Sequence, residues 1–122
     1  MQSNRTRNSI NFLTSPHNSN VKNILEELPV KDRVLVFAKL KLLESVGPKA
    51  LENTITKRVL YSRIFELRIS ISSDNKLIIF YLPTKENKIT LLNAIIYSKD
   101  TDTNGYMQAF YKAVSYMRKF LT

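Results

Sequence analysis

The residues of this chain best suited to chemistry are cations and phenols. Lys57, Arg58 and Arg63 precede a stretch of alternating polarity, Arg68 lies inside it, and Lys99 follows the last such stretch, with Tyr97 and Tyr106 on either side of a polar break. Arginine, lysine and tyrosine together suit contacts to a phosphodiester backbone, stacking on a base, and stabilisation of charge that develops on a phosphate. Other common chemistries lack residues. There is no cysteine and one histidine, so disulfides, thiolate sites and cysteine nucleophiles are excluded, and His17 has no histidine or cysteine partner with which to complete a metal site. With only two glycines, Gly47 and Gly105, a phosphate-cradling glycine loop cannot be built, and no nucleotide cofactor is expected. Carboxylates are scattered, so a paired-acid hydrolase site would have to be assembled from Glu66, Asp100 or Asp102 across separate elements.

Nineteen lysines and arginines against ten acids give a net charge of +9, which favours a polyanionic partner, either nucleic acid or an acidic protein. The cations never form a long run, which argues against a polybasic membrane patch. No apolar run approaches the roughly 20 residues needed to span a bilayer, and the polar N-terminus lacks the apolar segment of an export signal. A cytoplasmic protein without membrane contact is expected.

These candidates need elements to position them, and 122 residues suit one domain over 1–122, with 1–8 polar and expected to be loose. Ile10, Phe12 and Leu13 suggest a short first strand at a sheet edge. Ser15 and Pro16 suit the start of a helix whose apolar face is Val21, Ile24, Leu25 and Leu28, ending at Pro29. A second helix is predicted over 30–46, with Asp32 favoured in its first turn by the helix dipole and Gly47-Pro48 ending it. Its inward residues are expected to be Val34, Leu35, Ala38, Leu42 and Val46, with Lys31, Lys39, Lys41 and Glu44 outward or along the edges.

An irregular stretch over 48–56 gives way to period-two patterning, with Phe65, Leu67, Ile69 and Ile71 on one face and Glu66, Arg68, Ser70 and Ser72 on the other. Ser73-Asp74-Asn75 reads as a hairpin turn into a strand over 76–82 that is apolar on both faces and therefore central. A turn over 83–87 leads to a strand over 88–98, and Tyr106, Phe110, Ala113, Val114, Met117 and Leu121 mark a C-terminal helix. The expected fold class is α+β: a helical hairpin packed on one face of an antiparallel meander, with a C-terminal helix. In that arrangement Lys57, Arg58, Arg63, Arg68 and Lys99 line one groove. Glu66 and Arg68 would otherwise merely bridge each other on an exposed face, which contributes little.

The ordered segments Leu25-Glu26-Glu27-Leu28-Pro29, Leu42-Leu43-Glu44-Ser45-Val46-Gly47, Phe65-Glu66-Leu67-Arg68-Ile69, Ile79-Phe80-Tyr81 and Ile89-Thr90-Leu91-Leu92-Asn93-Ala94 resemble the RelE/ParE superfamily of bacterial toxins, in its HigB-like, phage-derived branch. The resemblance runs from about Asn20 to the C-terminus. It implies a RelE-like fold and the toxin of a type II toxin–antitoxin pair, one that cleaves mRNA on the ribosome without a metal and is held by a cognate antitoxin. In that mechanism the RNA 2′-hydroxyl attacks the adjacent phosphate. Arg68 matches the arginine of the family's Glu-Leu-Arg strand, Tyr106 the C-terminal tyrosine of RelE-like members, and Lys99 falls near their lysine-rich segment; these three are the catalytic candidates, and Lys57, Arg58, Arg63 and Tyr97 are the RNA-contacting ones. The chain departs from the family pattern at Ile78, where an arginine usually opens the second meander strand, at Tyr97-Ser98-Lys99, which replaces paired lysines, and at Asn93, where HigB-like members often carry histidine. Those departures leave a gyrase-inhibiting toxin in the ParE manner and a non-catalytic RNA- or protein-binding module open beside the nuclease.

Overall fold

A computed structural model describes residues 9–12, 19–52, 54–59, 62–84, 88–100 and 103–121. Its elements are β1 (Ser9–Phe12), α1 (Val21–Glu27), α2 (Val30–Leu51), β2 (Thr56–Arg58), β3 (Phe65–Ser70), β4 (Lys76–Thr84), β5 (Lys88–Tyr97) and α3 (Thr103–Leu121). The expectations for 1–8, Leu13, Ser15, Pro16 and His17 lie outside the described residues.

The fold is α+β, with a five-stranded sheet in the order β1-β5-β4-β3-β2. β2 to β5 are antiparallel neighbours, whereas β1 runs parallel to β5, from Ser9 beside Lys88 to Phe12 beside Leu91. The sheet is therefore mixed and not the simple meander expected. Parallel pairing requires a long crossover connection in place of a hairpin, and the chain between β1 and β5 is long enough to supply one. β2 was also not expected. It forms because Thr56 to Arg58 lie against Leu67 to Phe65, a pairing that three residues of sequence do not announce.

β4 is the central strand, buried on both faces from Leu77 to Leu82. Its odd residues Leu77, Ile79 and Tyr81 join Leu67, Ile69, Ile89 and Leu91 beneath α1 and α2, and its even residues Ile78, Phe80 and Leu82 pack with Ala109 and Ala113 of α3. The turn before it has positive φ at Ser73 and Asp74, the left-handed pair that a tight hairpin turn requires, and Asn75 N–H closes it onto Ser72 O. Opposite Phe80 and Tyr81 the register of β5 slips, so that Phe80 faces Asn93 and Tyr81 faces Leu91. Leu92 is the extra residue of a bulge.

α2 inverts the expected face. Asp32, Val36, Leu40, Leu43 and Gly47 are buried, while Val34, Leu42 and Val46 are exposed. The helix carries apolar residues on both stripes, and Asp32 made the correct one look polar. Asp32 is in fact tethered, its Oδ1 accepting from Ser72 N–H at 3.1 Å and Ser72 Oγ at 2.7 Å. Gly47 breaks the helix as expected: its φ of 81° and ψ of 164° belong to a region that only glycine enters without strain. A last short helical piece follows from Pro48.

Polar side chains finish the hairpin. α1 begins at Val21, with Ser19 Oγ accepting from Val21 N–H at 3.0 Å. Asn20 donates to Ala94 O and accepts from Ala94 N–H, both at 2.8 Å, which closes the edge of β5 beyond the end of β1. Arg33 donates to the carbonyls of Leu25, Glu26 and Leu28, satisfying the C-terminus of α1.

Candidate functional site

On the face that α3 covers, the sheet register sets three cross-strand rows: Glu66, Phe80 and Asn93; Arg68, Ile78 and Ile95; Ser70, Lys76 and Tyr97. α3 closes over the first row. Phe80 meets the rings of Tyr106 and Phe110 edge-on, with centroids 5.5 and 5.8 Å away, and Asn93 Nδ2 donates to Ala109 O at 3.0 Å. Because α3 begins at Thr103, the other two rows stay open beside its first turn. The result is a pocket of about 460 Å³ lined by Arg68, Lys76, Ile78, Tyr97, Lys99 and Tyr106, with Asp74, Ser98 and Thr103 completing its rim.

Behind this pocket lies a carboxylate. Glu66 has no exposed surface; its Oε1 sits 2.5 Å from Arg68 Nε, and its Oε2 accepts the hydroxyl of Tyr106. The polar face of β3 is therefore not the exposed bridge that its sequence also allowed. α3 seals its Glu66 end, whereas the Arg68 side chain keeps 44% of its surface exposed at the pocket. A buried carboxylate persists only with strong donors, and here two elements supply them. Burial first, and then the hydrogen bond and charge of Glu66, push the Tyr106 phenol well above its ordinary value, with Arg68 opposing. Tyr106 is neutral at physiological pH.

Four of the seven residues singled out in the sequence line this pocket: Arg68, Tyr97, Lys99 and Tyr106. Lys57, opposite Glu66 in the β2–β3 register, lines a smaller adjoining pocket of about 250 Å³ with Thr54, Ile55, Thr56 and, again, Arg68. Arg58 does not join them. Thr56, two residues earlier and so on the same face of the strand, bonds the Tyr81 hydroxyl in the core under α1 and α2, which turns Arg58 away from the groove. Arg63 is exposed in the connection before β3 and lines neither pocket.

Lys76, the burial of Glu66 behind the pocket and the pocket-floor role of Ile78 were not legible in the sequence. Lys76 was legible only as the first residue of a strand. Its place in a row with Tyr97 follows from the β4–β5 register, which the bulge at Leu92 makes hard to count. Asn93 is buried under α3 and does not line the pocket.

Among the described residues no group of three or more His, Cys, Asp or Glu could hold a metal ion, and no helix is long and apolar enough to cross a membrane. Compared with known proteins, the chain matches no family model, and no curated protein sequence matches it significantly.

Proposed function

We propose that this chain is the toxin of a type II toxin–antitoxin pair, with a RelE-like fold, acting in the cytoplasm as a ribosome-dependent mRNA endonuclease. The observation that carries the reading is the pocket itself: Arg68, Lys76 and Lys99, with Tyr97 and Tyr106, surround one space that opens beside α3. Three cations suit the negatively charged phosphate of a scissile bond, and two phenols suit a flanking base and a proton in transit. The ordered motifs shared with RelE and HigB relatives support the same substrate. A cognate antitoxin is the proposed protein partner. The exposed apolar stripe of α2, with Val34, Phe37 and Val46, offers it contact area, and the net charge of +9 favours an acidic segment.

Ile78 supports a second reading. It occupies the floor of the pocket where relatives carry arginine, so the centre of the site is apolar. A pocket with cations only at its walls suits a module that binds RNA or an acidic protein without cutting.

Induced expression separates these readings. The nuclease reading expects growth arrest with transcripts cut on ribosomes, and Arg68→Ala should restore both growth and intact mRNA. Arrest with intact transcripts points to another target, with gyrase the first to assay. Salt-sensitive RNA binding without cleavage supports the binding module.

A further inference from the structure

Among the described residues Asp74 is the only carboxylate lining the pocket, and it sits on the exposed β3–β4 turn. Glu66 reaches the pocket through two intermediaries, Arg68 on one oxygen and Tyr106 on the other. The direction of the second bond matters. A neutral phenol that donates its proton inward presents oxygen lone pairs outward, yet it cannot keep a second proton. It can accept one from a substrate only by passing its own to Glu66.

We propose that Tyr106 and Glu66 form a proton relay. This inference rests on the nuclease reading above and specifies how that site removes the 2′-hydroxyl proton. As the 2′ oxygen bonds to phosphorus, its proton moves to Tyr106 Oη and the Tyr106 proton moves to Glu66 Oε2. The bond from phosphorus to the 5′ oxygen breaks, and that oxygen takes a proton from the Lys99 ammonium. The products are a 2′,3′-cyclic phosphate and a 5′-hydroxyl. Glu66 then returns its proton through Tyr106 to water, and Lys99 regains one from water. No metal or cofactor enters the balance. Arg68 has a separate part: bonded to Glu66 through Nε, it brings positive charge to the pocket wall where the phosphate would sit.

Glu66 is a positioning and proton-accepting residue that acts through Tyr106, so its test must tell relay from scaffold. Ribosomes programmed with one defined mRNA are cut under single-turnover conditions by the wild type, Glu66→Gln, Tyr106→Phe and the double variant. Glutamine keeps the shape and an acceptor for Arg68 but cannot take the proton. The relay expects each single variant to cut about 100-fold more slowly, the double variant to be no slower than either, and the half-saturating ribosome concentration to stay within about twofold. Rates across H2O–D2O mixtures should show one proton fewer in flight in Glu66→Gln than in the wild type.

A Glu66→Gln rate within about threefold of wild type overturns the relay and leaves the nuclease reading standing. A loss confined to the half-saturating concentration does the same, because it shows a role in binding alone. Should Glu66→Gln fail to fold, Tyr106→Phe decides, since it removes only a hydroxyl from a half-buried ring; cutting within threefold of wild type overturns the relay. Wild-type protein that cuts no mRNA sinks the nuclease reading, and the relay with it.

Discussion

Glu66, Asp32, Asn20 and Thr56 show how single polar residues hold this molecule together. Each is wholly or partly buried and each finds a partner in another element. Thr56 illustrates the accounting: its one hydroxyl proton goes to Glu66 O at 2.8 Å, so the 2.5 Å contact to Tyr81 must be donated by the tyrosine. Asp32 is the clearest case for measurement. Its carboxylate serves the dipole of α2 and two donors of Ser72 on the turn after β3. Removing it should destabilise the fold by roughly 2 kcal/mol. Urea unfolding of Asp32→Ala checks this, and Asp32→Asn, which keeps an acceptor, should lose less. A loss of a few tenths would show that the tether contributes only what an exposed pair does.

At the scale of elements, α2 is where composition misleads. Val36, Leu40 and Leu43 face the sheet while Val34, Phe37, Leu42 and Val46 are exposed, although both stripes are apolar. A polar-looking Asp32 lies on the buried stripe, and an apolar-looking Val34 lies on the open one. The phase makes a sharp expectation for a pair of variants two residues apart. Val36→Lys places an uncompensated charge against the core and should cost more than about 3 kcal/mol, whereas Val34→Lys should stay within about 0.5 kcal/mol of wild type. A larger loss for Val34→Lys than for Val36→Lys in thermal or urea unfolding would mean that the helix packs through the other face. The start of α3 has a different consequence. Beginning at Thr103, α3 covers Glu66 and Asn93 but leaves Arg68, Lys76 and Tyr97 accessible, so the pocket exists because of where one helix starts.

At the scale of the whole molecule, the sheet separates two cores, and each contains a tyrosine whose proton is held by the fold. Tyr81 lies in the core under α1 and α2, with burial foremost and Glu52 adding to it in pushing its phenol well above the ordinary 10.0. Tyr106 lies at the edge of the core under α3. A raised pKa means that the folded state keeps a proton that the unfolded chain releases. The stability this provides is complete below pH 10 and falls as pH rises above it. The slope due to Tyr81 should approach about 1.4 kcal/mol per pH unit, with a smaller share from the partly exposed Tyr106. Unfolding measured between pH 9 and 11.5 should therefore steepen above 10, and Tyr81→Phe should flatten it. An unchanged slope in that variant would assign alkaline loss to other groups.

Periodicity alone was enough for the α+β class, the central position of β4, the break at Gly47, the turn at Ser73-Asp74 and the helical character of α3, because each depends on neighbours within a turn or a strand. It also suggested one groove for Lys57, Arg58, Arg63, Arg68 and Lys99, of which Arg68 and Lys99 line the larger pocket and Lys57 the smaller one. What it could not supply were relations between residues distant in sequence: the parallel pairing of β1 with β5, the short β2, the face of α2 and the burial of Glu66. Each of these depends on which element lies opposite, and an amino acid's own polarity does not encode that. Glu66 and Arg68 looked alike as two charges on one strand face. α3 covers the first and leaves the second open beside its first turn, and that difference turns a charged pair into a buried acceptor behind an accessible cation.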